Sequence, residues 1–480
     1  MSIRKDLTKG VLYTSLAKYS GLIISLIITS VLSRLLTPED FGIVAIATVV
    51  IAFFNILGDI GIGPAIIQNK NLTEEDINQI YSLTIYVGII LSIIFIILAY
   101  PIAKFYSDSN LIGICQWLSF TIFFTCINIV PLNLRYKHKD FKQIAYVTLS
   151  VQIISGVISI LYAYKGGGVY ALVLSSILSS FMLALIYNYL ASLRFRFILR
   201  RESLQKIMSF SIFQFLFNII AYFSRNIDKL LIGKYIGLTQ LGYYEKSYRL
   251  MMLPLQNITF VITPVMLPIF SDYQSDVKIL GQNYIKLIRL LSYISFPLSI
   301  ILFFCSRELV LLIFGSQWIP SIQPFKILSF TVALQILTSS TGSIYQAVGA
   351  TKKLFYTGCW GALFLIGSFA ATIFYWHNLE AVCIGYLLAQ LMNTIQCFWM
   401  LFNILDIPIK KVFCLFTRPL FISIILLAGY YCFSLIPLET VLFFQLIIKM
   451  IFGISFTLIL IQFLSPYDIV QMMKNKTFNL

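Results

Sequence analysis

Ionisable side chains inside long apolar runs are the residues of this sequence best suited to do chemistry. A charge at the centre of a bilayer is costly, so such residues pair with each other or face a water-filled path. Eight of them are Lys18, Asp59, Arg225, Asp228, Lys229, Glu245, Lys246 and Arg249. In these runs cations outnumber acids by five to three, which favours an anionic ligand over a cationic one.

Hairpin spacing places six of these charges at matching depths. If the runs around residue 237 form a helical hairpin, residues whose numbers sum to about 474 lie level with each other. This rule pairs Asp228 with Lys246, Lys229 with Glu245, and Arg225 with Arg249. The last level brings two guanidiniums together, and their planar donors suit phosphate oxygens.

A structural interpretation of the same charges stays open. Opposite charges at one level would be salt bridges that fix helix register, or side chains that reach the membrane interface. Lys18 and Asp59 lie level in the first hairpin and would pair in the same way. Arg225 and Arg249 have no acid at their own level, so the structural interpretation is weakest for them.

Composition indicates that membrane-spanning helices position these charges. Of 480 residues, 59% are hydrophobic and 11% are charged, against about 25% charged in soluble domains. A membrane-spanning helix needs about 20 apolar residues. We predict an all-α integral membrane protein with about fourteen spans, at residues 10–36, 40–64, 78–106, 110–133, 142–165, 167–191, 207–235, 239–270, 284–304, 321–349, 354–375, 379–404, 414–435 and 440–464.

Other chemistries find little support in the sequence. The eight cysteines include no C-x-x-C pair and the two histidines are isolated, so we expect neither a disulfide framework nor a metal site. No Walker motif occurs, and the connections between spans leave no room for a catalytic domain. We therefore predict a protein without cofactor or catalytic residues.

The distribution of Lys and Arg predicts the orientation. With both termini in the cytoplasm, cytoplasmic segments carry 23 of these residues and the opposite side carries 5. This bias follows the positive-inside rule and explains most of the +16 net charge without nucleic-acid binding.

An internal repeat divides the chain. The run at residues 32–42 aligns with residues 232–242 at an offset of 200, which matches Arg34 with Lys234 and Gly42 with Gly242; Leu118-Ser119-Phe120 recurs as Leu328-Ser329-Phe330. We predict two six-helix lobes related by a pseudo-twofold axis, residues 1–200 and 201–405, and a C-terminal hairpin at residues 406–480. Parallel halves of this kind enclose a substrate site in transporters.

Five runs resemble a known family. They are LSRLLTPEDFGIVAI from Leu32, GDIGIGPAIIQ from Gly58, RNIDKLLIGKYIG from Arg225, LGYYEKSYRLMMLP from Leu241 and ELVLLIFGSQW from Glu308. In this order they are similar to the bacterial polysaccharide and O-antigen (Wzx-type) flippases of the multidrug/oligosaccharidyl-lipid/polysaccharide exporter superfamily.

The resemblance implies a flippase in the bacterial inner membrane that moves an undecaprenyl-diphosphate-linked oligosaccharide to the outer leaflet by alternating access. It implies work alongside a polysaccharide polymerase and glycosyltransferases. It also implies energy coupling through an ion gradient, of protons or sodium ions, or through lipid turnover. It also implies substrate-binding cations, namely Lys18, Arg225, Lys229, Lys246 and Arg249, and the counter-charges Asp59, Asp228 and Glu245.

Two alternatives remain. A multidrug or cation antiporter of the same superfamily needs a coupling carboxylate in span 1 or deep in the C-terminal lobe, and span 1 has none between Lys18 and Arg34. A membrane-embedded polysaccharide polymerase or ligase needs a long outer loop, and the outer loops here are short.

Overall fold

The computed structural model describes residues 3–59, 61–69, 71–198, 212–271, 276–436 and 440–465. These residues form seventeen α-helices and one 3-10 helix, with no strand among them, so the predicted all-α fold is confirmed. Arg200, Arg201 and Lys206, which lie between the sixth and seventh predicted spans, and the start of the seventh predicted span lie outside the described residues.

The chain divides into two compact units, Met1–Gly242 and Tyr243–Leu480. The described helices of the first unit are α1 (Ile3–Leu35), α2 (Pro38–Asp59), α3 (Ile62–Gln68), α4 (Glu74–Tyr106), α5 (Asn110–Lys137), α6 (Phe141–Tyr164), α7 (Tyr170–Ala191) and α8 (Ile212–Tyr235). Helix α9 (Leu238–Ser271) begins in the first unit and continues into the second.

The second unit continues with α10 (Val277–Phe304), α11 (Ser306–Phe314), a 3-10 helix (Ser316–Ser321), α12 (Ile322–Ser339), α13 (Thr341–Ala347), α14 (Thr351–Trp376), α15 (Leu379–Ile404), α16 (Ile409–Ser434) and α17 (Leu442–Leu464). The lobe boundaries expected near residues 200 and 405 stay predictions.

Twelve segments of the described chain are long and apolar enough to cross a membrane. The predicted count of fourteen also included the segments of α8 and α9, which are not among the twelve. These two helices are 24 and 34 residues long and carry most of the intramembrane charges.

Large apolar side chains point outward along many of these helices. Ile97 is 63% exposed, Ile395 61% and Ile424 63%, which in water would be unfavourable. A lipid environment accepts such side chains, so this outer surface fits a polytopic membrane protein.

Side-chain caps define where two of the helices begin. At the start of α2, the Oγ1 of Thr37 accepts the backbone N–H of Asp40, and Asp40 accepts the Thr37 backbone N–H at 2.9 Å. Thr73 and Asp76 form the same reciprocal arrangement at the start of α4. Each capping box satisfies donors that a helix N-terminus leaves unpaired, so the turns before α2 and α4 follow from local sequence.

The offset of 200 recurs in the helix boundaries. Helix α1 ends at Leu35 and α8 at Tyr235, while α2 begins at Pro38 and α9 at Leu238. Each ending turn closes with an equivalent bond of 2.9 Å, from the N–H of Leu36 to the carbonyl of Leu32 and from that of Ile236 to Ile232. These matching boundaries support the predicted repeat.

Two buried serines give a second match. Ser119 donates to the carbonyl of Gln116 at 2.6 Å, and Ser329 donates to that of Lys326 at 2.7 Å. The side chains are 1% and 0% exposed. Each serine satisfies its hydroxyl within its own helix, so the repeated Leu-Ser-Phe triplet occupies equivalent buried positions in α5 and α12.

Candidate substrate-binding charges

Helix α8 carries three of the candidate charges in the first unit. Arg225 is exposed, Lys229 is half-buried and Asp228 is 3% exposed. One carboxylate oxygen of Asp228 accepts the backbone N–H of Lys229 at 2.8 Å. The guanidinium of Arg225 is therefore the accessible cation of this group.

Packing against α2 fixes this charged helix. The hydroxyl of Tyr222 donates to the carbonyl of Val49, and the Tyr222 ring lies 6.3 Å from that of Phe53. A Cβ on Gly233 would lie 2.6 Å from the Cδ1 of Ile46, so the small residue permits a close approach. These contacts position Arg225 relative to α2, and they give Tyr222 a packing role.

Lys18 and Asp59, the predicted charge pair of the first hairpin, occupy different local settings. Lys18 is half-buried in α1. Asp59 is the last residue of α2, and its Oδ1 accepts the backbone N–H of Gly63 at 3.0 Å across a break in the helix. Gly61, at φ 78°, makes this break, since that backbone region favours glycine. Asp59 thus has a local structural role.

Lys246 is enclosed by aromatic rings in the second unit. Its side chain is 1% exposed, and its ammonium lies 5.0 Å from the ring centroid of Phe314 and 4.9 Å from that of Trp318. Cation–π attraction is strongest when the cation is removed from water. The sequence analysis did not select these rings, although both fall in the run from Glu308.

Serine hydroxyls hold the start of α9 against the 3-10 helix that carries Trp318. Ser247 donates to the carbonyl of Ser321 at 2.8 Å, and Ser321 donates back to that of Tyr243 at 3.1 Å. The rings of Tyr243 and Trp318 lie 6.0 Å apart. This bonding fixes Lys246 between its two rings.

The remaining residues of α9 differ in exposure. Glu245 and Arg249 are half-buried, on the same helix as Lys246. Tyr244 is fully buried, with its ring 5.8 Å from that of Tyr248, so it packs in the core. The turn predicted at residue 237 is confirmed, while the charge pairings predicted across it stay predictions.

A buried ion pair in the second unit was not predicted. Lys449 of α17 lies 2.7 Å from the Oε1 of Glu308 in α11, and the Glu308 side chain is 2% exposed. Lys449 also donates to the carbonyl of Phe304 at 3.4 Å, and its own carbonyl accepts the Tyr430 hydroxyl at 2.6 Å. The pair joins the C-terminal hairpin to the helices before it.

The segment after α7 is tied to the start of α4. The backbone N–H of Arg194 donates to Asn78 at 2.9 Å and that of Arg196 to Ser82 at 2.7 Å, while the Arg196 guanidinium pairs with Glu75 at 2.8 Å. A cavity of 580 Å³ lies beside these contacts. Arg194 and Arg196 therefore have structural partners within the first unit.

This helical architecture is found in membrane transporters. It matches a solved structure of the lipid II flippase MurJ with a TM-score of 0.75 and 14% sequence identity, over 97% of this chain and 100% of that chain. The protein is thus a polytopic membrane protein with a MurJ-like fold.

Sequence comparison assigns the family. The family described as "polysaccharide biosynthesis protein" matches residues 31–323, and the chain belongs to it. The teichuronic acid biosynthesis protein TuaB of Bacillus subtilis is 26% identical over 88% of both chains. The lipopolysaccharide biosynthesis protein WzxC of Escherichia coli is 23% identical over 84% of this chain and 82% of its own. The predicted family resemblance is confirmed.

Proposed function

We propose that the protein is a flippase for surface polysaccharide synthesis, moving a lipid-linked oligosaccharide from the cytoplasmic to the outer leaflet of the bacterial inner membrane. Membership of the polysaccharide biosynthesis family supports this proposal, as do relatives described by teichuronic acid and lipopolysaccharide biosynthesis. The fold shared with a lipid II flippase provides an architecture suited to such cargo.

The exposed guanidinium of Arg225 is the observation that favours an anionic cargo. It lies on α8, a helix held against α2 by Tyr222. A guanidinium offers paired donors that match phosphate oxygens, so it suits an undecaprenyl-diphosphate head group. Lys18, Lys229, Lys246 and Arg249 complete the proposed set of cations, and Asp59, Asp228 and Glu245 balance their charge.

The proposed cycle is alternating access, with both termini cytoplasmic. The substrate enters from the cytoplasmic leaflet, its diphosphate meets the cations, and it leaves towards the outer leaflet. A proton or sodium gradient supplies the energy, and glycosyltransferases and a polymerase act before and after this step.

Substitution of Arg225 tests the proposal. Arg225→Ala should reduce surface polysaccharide by about tenfold or more, the effect of losing at least 1.4 kcal/mol of cargo stabilisation. The amount of protein in the membrane should stay normal. Arg307→Ala is the matched control, since Arg307 is an exposed arginine outside the proposed cation set.

A vesicle assay identifies the cargo directly. The purified protein in liposomes should move a fluorescent lipid-linked oligosaccharide across the bilayer, and the Arg225→Ala protein should not. Absence of transport by the unaltered chain, together with export of cationic dyes, would replace the flippase proposal by the antiporter alternative.

A further inference from the structure

The chain after α7 forms an irregular segment, residues 192–198, which we call the linker and which packs along the start of α4 in the first unit. Three α4 side chains, each one helical turn from the next, bond to its backbone at 2.9, 2.7 and 3.0 Å, namely Asn78, Ser82 and Tyr86. Beside a spanning helix, irregular backbone is tolerated where its polar groups are paired or face a water-filled cavity. These bonds fix the linker in one position.

A cavity of 580 Å³ lies against the linker and α4. Its lining combines polar and apolar side chains, namely Glu75, Gln79, Phe195, Arg196, Phe197 and Ile198. Sites for small molecules usually occupy about 300–1,000 Å³, with hydrophobic and aromatic walls and a few polar groups that orient the ligand. The cavity therefore has the size and the lining of a site for a small polar ligand.

The polar groups of this cavity are held in fixed positions. Arg196 pairs with one oxygen of the Glu75 carboxylate at 2.8 Å, and the Gln79 amide donates to the other oxygen at 3.2 Å. Gln79 is buried, whereas the side chains of Glu75 and Arg196 are 38% and 42% exposed. An exposed ion pair adds little to stability. The pair instead presents a carboxylate and a guanidinium where a ligand can reach them.

Two phenyl rings form the apolar wall. The Phe195 ring lies 5.5 Å from the ring of Tyr86 and 5.0 Å from that of Phe197, edge to face with the latter. Phe197 is 83% exposed. Contact with Phe195 therefore positions the Phe197 ring beside the polar groups and leaves most of its surface accessible.

This combination of side chains suits a sugar. A sugar ring has an apolar C–H face, which can pack on an aromatic ring, and hydroxyls at its edge, which both donate and accept hydrogen bonds. In the cavity the carboxylate accepts, the guanidinium donates and the amide does both. The charges of Glu75 and Arg196 cancel, so the described lining has no net charge with which to attract a phosphate.

We propose that this cavity, which we call the linker cavity, binds an uncharged sugar unit of the cargo. The inference rests on the proposed function, because a lipid-linked oligosaccharide supplies the sugar. By the predicted orientation, the linker and the start of α4 lie at the cytoplasmic face, where the cargo is loaded. The sugar end of the cargo then has its own site, and the diphosphate is left to the proposed cations.

Binding of the free oligosaccharide tests this proposal. Mild acid releases the oligosaccharide from the lipid-linked pool of the producing cells, without lipid or diphosphate. Titrated with the purified full-length protein in detergent, it should show saturation transfer to its sugar protons by NMR. Phe197→Ser should raise the dissociation constant about fivefold, because the ring contact is lost. Tyr189→Ser is the matched control, since Tyr189 in the same unit is also 83% exposed.

Glu75→Gln tests the polar wall. It removes the charged acceptor and the pair with Arg196, so it should weaken binding by about fivefold or more. Glu74→Gln changes the neighbouring exposed acid in the same helical turn and should leave binding unchanged. Both variants should melt like the unaltered protein, because bonds to the linker backbone hold the segment in place.

The proposal is overturned if the unaltered protein shows no transfer to the free oligosaccharide, or if Phe197→Ser and Tyr189→Ser bind it equally well. If Phe197→Ser lowers only the amount of protein in the membrane, the ring is a lipid contact and the proposal fails. A protein that transports in liposomes but does not bind the free oligosaccharide rejects the linker cavity alone. One that binds it but fails the liposome assay rejects the flippase proposal alone.

Discussion

The ammonium of Lys246 lies 4.9 Å from the ring centroid of Trp318, within the core of the second unit. Phe314 approaches the same ammonium at 5.0 Å, and the side chain is 1% exposed. A cation removed from water and set against aromatic faces gains about 2 kcal/mol from the rings. The two rings therefore offset part of the cost of burying Lys246, which also belongs to the proposed set of anion-binding cations.

Replacing Lys246 should lower stability as well as export. Lys246→Ala is expected to cost about 2 kcal/mol, which corresponds to a fall of about 4–8 °C in the melting temperature of the detergent-solubilised protein. Trp318→Leu should have a similar effect. Because the two side chains interact directly, the double variant should lose less than the sum of the single losses.

Lys278→Ala serves as the control, because this lysine is exposed on α10 and should leave the melting temperature unchanged. A Lys246→Ala protein that melts normally but exports nothing would contradict the structural role and leave only anion binding.

The Glu308–Lys449 pair should anchor the C-terminal hairpin. Glu308→Gln or Lys449→Met removes one charge and leaves the other buried, which costs about 3 kcal/mol for such pairs. This figure of about 3 kcal/mol is the low end of the loss seen when a buried pair is broken. We expect the low end because the Lys449 side chain is 21% exposed. Thermal unfolding monitored by tryptophan fluorescence measures the loss.

The exchanged pair, Glu308→Lys with Lys449→Glu, should recover part of the lost stability because it restores opposite charges at one contact. Glu380→Gln alters an exposed acid and is the control. If the exchanged pair is no more stable than the single variants, the pairing has no net effect on stability.

Much of the fold is predictable from the sequence because the signals for helices and turns lie within short stretches of the chain. Apolar run length gives most helices, and the turn at residue 237 lies between the two runs interpreted as spans 7 and 8. The short helix α3 was not predicted, because Gly61, whose φ of 78° breaks the helix, lies within the run interpreted as span 2. The interpretation of span 2 as one continuous run overlooked that a single glycine can interrupt it without ending the apolar pattern.

The surroundings of the candidate charges were harder to predict. Glu308 and Lys449 are 141 positions apart, and no periodicity relates them. The rings around Lys246 depend on how the 3-10 helix folds back onto α9, which hairpin spacing does not describe. Sequence therefore identifies charges that need partners, whereas long-range packing selects those partners.

Asp59 is a candidate for two roles, as a helix cap and as a counter-charge. A single substitution would not distinguish them. As a cap, it needs only an oxygen acceptor for the Gly63 N–H, which it accepts at 3.0 Å. As a counter-charge for Lys18, it needs a negative charge. Asp59→Asn keeps the acceptor and removes the charge, while Asp59→Ala removes both.

The capping role predicts that Asp59→Asn retains stability and export, whereas Asp59→Ala loses about 1 kcal/mol, the usual effect of deleting a cap. The counter-charge role predicts that both variants reduce export, and that Lys18→Met combined with Asp59→Asn restores it. Melting temperature and surface polysaccharide, measured on these three variants, assign the role. Because the Asp59 carboxylate accepts a backbone N–H in the first turn of α3, we expect the asparagine variant to keep its melting temperature.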